Sequence, residues 1–229
     1  MKMKNDIKKQ IYFTIIFITL GLVALQVPLT HLVGSKAQFT VFDSFAPIAG
    51  GFFGSSFGAV AVLLMQLINF LIHGFKILDS GTIVRLFPTM FAVVYFAKKR
   101  KFNLIVPLLA IVAFNLHPIG RSVWYYSLYW LIPVICYFFQ ERFLLARSLG
   151  ATFTAHAVGG ALWIYTFGLP KAVWISLIPI VAIERLVFAF GIAGMYVVFN
   201  NVLNFINERN LIVYQFPVNQ KYVLKWRIS

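Results

Sequence analysis

Long apolar runs, each broken by a short polar or basic stretch, recur along the whole chain. They are Ile11–Val33, Phe45–Ile72, Thr82–Ala97, Phe102–Leu116, Ser122–Phe139, Ser148–Phe167 and Ala172–Phe199. A helix crosses a bilayer with about 20 apolar residues, and lipid requires every backbone polar group to be satisfied internally. The pattern therefore predicts an all-α, polytopic membrane helix bundle over residues 1–206, with a cytoplasmic tail over 207–229. Phe45–Ile72 is too long for one straight span and short for two. Basic Lys98-Lys99-Arg100-Lys101 belongs on the cytoplasmic side. That placement makes Phe45–Ile72 a Gly-rich hairpin or re-entrant pair turning near Gly54-Ser55-Ser56. The expected topology is six full spans plus this hairpin, with both termini cytoplasmic, in the cell membrane.

Composition excludes the soluble classes. Residues of the AVILMFWYC set make up 61% and charged residues 11%, against roughly 45–50% and about 25% in a soluble domain. A single cysteine, Cys136, rules out a disulfide scaffold. Net charge +14 would suit nucleic acid, but the predicted topology accounts for it. Lys2, Lys4, Lys8, Lys9, Lys98–Lys101, Arg142, Arg147, Arg209, Lys221, Lys225 and Arg227 fall inside, against Lys36, Lys76, Arg121 and Lys171 outside. No nucleic-acid partner is expected. A basic start before an apolar run also describes a signal peptide, yet Gln26-Val27-Pro28-Leu29 stands where a small-x-small cleavage site belongs. An uncleaved first span is the expectation. The tail, with Tyr214, Phe216, Tyr222 and Trp226 among basic residues, is expected to lie on the anionic inner leaflet, with a protein-docking element as the alternative.

Small residues recur every four positions at Ala46, Gly50, Gly54 and Gly58, at Ala151, Ala155 and Gly159, and at Ala189 and Ala193. Such ridges let helices approach closely in lipid. They serve either internal packing or the docking of a partner's helices; Gly50, Gly54, Ala151, Ala155 and Gly159 are the docking candidates.

Ionisable residues at membrane depth cost about 2.5–3.5 kcal/mol each on insertion scales, so they face cavities or partners. Glu184 and Arg185 stand mid-span, about 100° apart on a helix, and each is expected to need a partner from another helix. Arg85 lies one turn inside its span, able to snorkel outward, and His156 sits between Ala155 and Ala157. Asn115, Gln66 and Asn69 are also at depth. Trp124, Tyr125 and Tyr126 cover most of a helix circumference, so at least one points inward, at the depth of Trp163 and Trp174. The substrate-binding candidates are Glu184, Arg185, His156, Arg85, Trp124, Asn115 and Trp163. His31, His73, His117, His156, Asp43 and Asp79 gather on the predicted outer side, but no short-spaced histidine pair occurs, and no metal is expected. Nucleophile-elbow, zincin and nucleotide-loop motifs are absent. Neither enzyme activity nor a cofactor is expected.

The run Phe45-Ala46-Pro47-Ile48-Ala49-Gly50-Gly51-Phe52-Phe53-Gly54, continuing through Gly58-Ala59-Val60, resembles the early region of substrate-binding S components of energy-coupling factor (ECF) vitamin transporters. The resemblance is strongest over Phe45–Ile72. The family's small-xxx-small docking motif is not found within Ile11–Val33, where Gly21 and Ala24 are three apart; Ala151-x-x-x-Ala155 is a substitute. The resemblance implies a membrane receptor for a vitamin or precursor. It would pair with a transmembrane coupling subunit and two cytosolic ATPase subunits and topple in the bilayer to release its small-molecule substrate. Two other functions stay open: a membrane enzyme on lipid or prenyl substrates, with Glu184, His156 and Arg185 as its polar centre, and a non-catalytic assembly protein.

Overall fold

Proline sets the first departure from the hydropathy pattern. The computed structural model describes residues 2–31, 33–34, 38–73, 80–209 and 216–224. Helix α1 spans Lys2–Leu25 and stops there rather than at Val33. Pro28 has no N–H to donate and biases the residue before it away from helical backbone. The chain instead forms a two-stranded antiparallel hairpin, β1 (Pro28–His31) with β2 (Gln38–Thr40). Lys36, Lys76, Asp79, Tyr214, Lys225, Trp226 and Arg227 lie outside the described residues.

The Gly-rich segment is a hairpin of unequal legs. Short helix α2 (Phe42–Phe45), a 3-10 turn over Ala46–Ile48 and α3 (Ala49–Phe53) form the first. Gly54, at φ 79° and ψ −179°, supplies a backbone geometry open almost only to glycine, and α4 (Ser55–Ile72) follows. The bend falls where the sequence places it, but the second leg has full helical length and is no short hairpin arm. α5 (Ser80–Ala97) and α6 (Phe102–Leu116) come next. The run Ser122–Phe139 is not one helix. It is divided among the end of α7 (Pro118–Ser122), a 3-10 stretch Trp124–Leu131 and α8 (Ile132–Phe139). α9 (Leu144–Phe167) and α10 (Lys171–Glu208) complete the bundle.

The fold is thus all-α apart from the small hairpin. Three of its described helices, α4, α5 and α10, are long and apolar enough to cross a membrane. α9 has the length without the hydropathy, because it is the central helix. It packs against α5, α6, α8 and α10, and it buries Ser148, Gly150, Thr152 and Thr154 rather than leucine. Large apolar side chains face outward instead, among them Leu109, Ile135, Phe138, Ile183, Val187, Phe190 and Val198.

One end of the bundle gathers Phe13, Phe52, Phe53, Phe199 and Phe216 into an aromatic cluster. Arg147 closes the same end, its Nη2 donating to the Ala97 carbonyl at 3.0 Å and its Nε to that of Phe96. Here α10 runs to Glu208, beyond the expected Phe199, because asparagines on its last turns hold the tail. Asn200 accepts from the Asn219 N–H and donates to its carbonyl, and Asn207 does the same with Phe216. Asn201 donates to the Tyr222 carbonyl and accepts from the Leu224 N–H. Lys221 Nζ reaches the carbonyls of Glu141 and Arg142. The described part of the tail is therefore bound to the bundle itself. A side-chain amide carries the donor and acceptor of a peptide group, so this ladder satisfies extended backbone as a neighbouring strand would.

Candidate functional site

At the opposite end, α5, α9, α10 and the β-hairpin enclose a cavity of about 310 Å³, at the small end of the range for organic-ligand sites. The hairpin forms its roof and is fastened at three points. Thr30 Oγ1 donates to Glu184 Oε1 at 2.8 Å, Trp163 Nε1 donates to the Val33 carbonyl at 3.1 Å, and Arg85 Nη1 donates to the Gln38 carbonyl. Hydropathy reading placed this segment in a helix or a loop. The signal that would have found it is Pro28, followed by β-favouring Thr30 and by Phe39 and Thr40.

Two ion pairs sit in the wall. Arg85 Nη2 reaches Asp43 Oδ2 at 3.1 Å and Oδ1 at 3.3 Å, and Asp43 Oδ2 also accepts from the Thr40 N–H. Arg85 is therefore held within the protein rather than snorkelling outward. Glu184 Oε2 lies 3.5 Å from Arg185 Nη2, so these sequence neighbours do pair, with Thr30 as the partner from another element. Arg185 is 3% exposed, its guanidinium carbon 4.6 Å from the Phe39 ring centre and 4.7 Å from that of Phe188. Cation–π contact with two rings fixes its plane.

His156 is fully engaged. Its Nδ1 accepts from Trp130 Nε1 at 3.0 Å, and its Nε2 stands 3.0 Å from the Tyr126 hydroxyl. Gly160 makes this arrangement possible, since a Cβ there would stand 2.6 Å from the Trp130 ring. Among the described residues, no three of His, Cys, Asp and Glu come together to hold a metal ion.

The cavity brings together Glu184, Arg185, His156, Arg85 and Trp163 and adds Asp43, Phe39, Tyr126 and Trp174. Trp124 and Asn115 lie outside it. Trp124 is 56% exposed, because the 3-10 stretch turns Tyr126 inward instead. Asn115 donates to the Ile111 carbonyl and Ser127 Oγ. The docking candidates are placed mostly inside the bundle. Ala151 is fully buried, and Ala155 and Gly159 line the cavity, Gly159 opposite Pro88. Gly50 is pressed against α5; Gly54 alone of the five is exposed. The α9 ridge seats α5 and leaves room for the cavity, and it presents no outward face to a partner.

No family model and no solved structure matches this chain. It is 28% identical over 189 aligned positions to an uncharacterized protein of Methanocaldococcus jannaschii, covering 74% of this chain. The chain spans 63% of the length of that relative.

Proposed function

We propose that the protein is a multi-pass cell-membrane receptor that binds a small organic solute for uptake, as the S component of an ECF-type transporter does. A separate coupling subunit and two cytosolic ATPase subunits would supply the energy. The observation that carries this reading is the roofed cavity, where two ion pairs and a bound histidine stand among Phe39, Trp163 and Trp174. Ionisable groups persist at such depth when they serve a site. The Gly-rich run over Phe45–Ile72 and the outward apolar face also support it. In this reading the chain crosses the bilayer repeatedly, with both termini and the Lys98–Lys101 cluster in the cytoplasm, and the cavity opens toward the outer side.

The binding test uses the purified chain alone in detergent. One compound of a vitamin-and-precursor panel is expected to raise its thermal midpoint by mass action, with no chemical conversion of that compound. Turnover of a lipid substrate by the isolated chain would refute the reading. Topology is tested separately, with single cysteines in a Cys136→Ala background. An impermeant maleimide applied to intact cells is expected to label Lys171→Cys and to spare Lys99→Cys. Labelling at position 99 would overturn the hairpin reading of Phe45–Ile72 on which the topology rests.

A further inference from the structure

The end of the bundle opposite the cavity concentrates positive charge that the fold leaves without counter-charge. The turn between α5 and α6 is Lys98-Lys99-Arg100-Lys101, and the turn after α8 holds Glu141-Arg142. Asn103 Nδ2 donates to the Lys98 carbonyl at 3.1 Å and reaches Gln140 Oε1 at 3.5 Å, so the two turns are set against each other. Lys221 Nζ adds a sixth cation there, donating to the carbonyls of Glu141 and Arg142. Glu141 is the one acidic residue of these two turns. Both ion pairs among the described residues lie in the cavity wall instead. Lys98, Arg100, Lys101 and Arg142 are exposed, and a neighbouring anion relieves the mutual repulsion of such a cluster.

The surface beside the cluster shows what carries that anion. The first turn of α6 exposes Phe102 and Ile105, and the last turns of α8 expose Ile135, Phe138 and Phe139. Cations and large apolar side chains thus follow one another along the same two helices. An amphiphile satisfies both, with its chains on the apolar faces and its anionic head on the cations. An acidic protein surface in water would meet the charge and leave the apolar faces bare. Tyr137 stands at the boundary, where aromatic rings favour the headgroup level. Lys99 Nζ lies 4.7 Å from the centre of that ring, which holds the cation at the same level.

We infer that this corner of the bundle binds an anionic phospholipid of the surrounding leaflet. Its phosphate meets the Lys98–Lys101 turn and Arg142, and its chains cover the outward faces of α6 and α8. Basic clusters beside spanning helices hold acidic lipid through the same charge attraction. The inference rests on the membrane placement proposed above and is independent of the solute.

The test equilibrates the purified chain with neutral detergent micelles holding equal amounts of dioleoyl phosphatidylglycerol and dioleoyl phosphatidylcholine. The chain is repurified by size exclusion, and the retained lipids are quantified by mass spectrometry. Phosphatidylglycerol is expected in about fivefold excess or more, the scale of one cation near a lipid surface, and an excess of inorganic phosphate should leave that ratio unchanged. Replacing Lys99, Arg100, Lys101 and Arg142 together by Gln should bring it below about twofold. Arg121→Gln with Lys171→Gln, which removes cations predicted at the other end, should not alter it. If the fourfold variant fails to fold, Lys99→Gln with Arg142→Gln takes its place and should at least halve the ratio. Equal retention of the two lipids by the unaltered chain would overturn the inference, even if an acidic protein bound the cluster. A preference abolished by phosphate, unchanged in the cluster variants, or lost equally in the control would overturn it as well. Flotation with phosphatidylcholine vesicles checks the placement itself. A chain that floats without preferring phosphatidylglycerol sinks this inference alone, whereas a chain that does not float sinks the membrane placement with it.

Discussion

Gly50→Val is expected to leave almost no folded protein. Gly50 stands where α3 crosses α5, and a Cβ there would collide with the Val93 carbonyl oxygen and lie 2.9 Å from the Ala97 nitrogen. Both obstacles are backbone, and a helix cannot give way as a flexible side chain can. Overpacking ordinarily costs about 1–3 kcal/mol; two further methyl groups against a fixed helix raise the loss above about 3 kcal/mol. The measurement is the monodisperse fraction on size exclusion in detergent, with the thermal midpoint of whatever survives. Gly54→Ala is the contrast. Nothing lies within 4 Å of its added Cβ, so only the unfavourable backbone angle is felt, at about 1–3 kcal/mol. A wild-type midpoint for Gly50→Val would mean that α3 does not stand on α5.

This contrast bears on what the sequence makes legible. Helices long in leucine, isoleucine and valine announce themselves, and the small residues Gly54-Ser55-Ser56 between two apolar legs mark a bend. The charged wall of the site was legible too, because Glu184, Arg185 and Arg85 are expensive at depth and stand out on that ground. Distances across the chain were not. Asp43 stands in the sequence only as one of two aspartates beside the outer-side histidines, and it is Arg85, forty-two residues on, that closes onto it at 3.1 Å. The role of the α9 ridge was hidden for a related reason. Small residues allow close approach without naming the neighbour, and here Pro88 stands against Gly159 of the ridge, with Tyr95 and Trp130 against the flanking Gly150 and Gly160. Tyr126 and Trp124 differ by two positions, and only the 3-10 winding of that stretch decides which faces inward.

Glu184→Gln is expected to cost about 3–5 kcal/mol of stability, the scale for stripping one partner from a buried ion pair. Glutamine keeps the shape and can still accept from Thr30, so the loss isolates the charge facing Arg185. The two side chains are 15% and 4% exposed, with Glu184 the wetter. Arg185→Met should therefore cost less, because the Glu184 carboxylate keeps Thr30 and some solvent. Glu184→Gln combined with Arg185→Met removes both charges and should return to within about 1 kcal/mol of the unaltered chain, the non-additivity expected of contacting residues. Ligand affinity follows a different pattern. It should fall tenfold or more wherever Arg185 is replaced, the rescued double variant included, since the cavity wall has then lost that cation however stable the protein is. Thermal midpoint and ligand affinity measured on all three variants separate the roles. A double variant no more stable than Glu184→Gln would show that the pair is uncoupled. Affinity retained in that double variant would take Arg185 out of the binding site and leave it a purely structural charge.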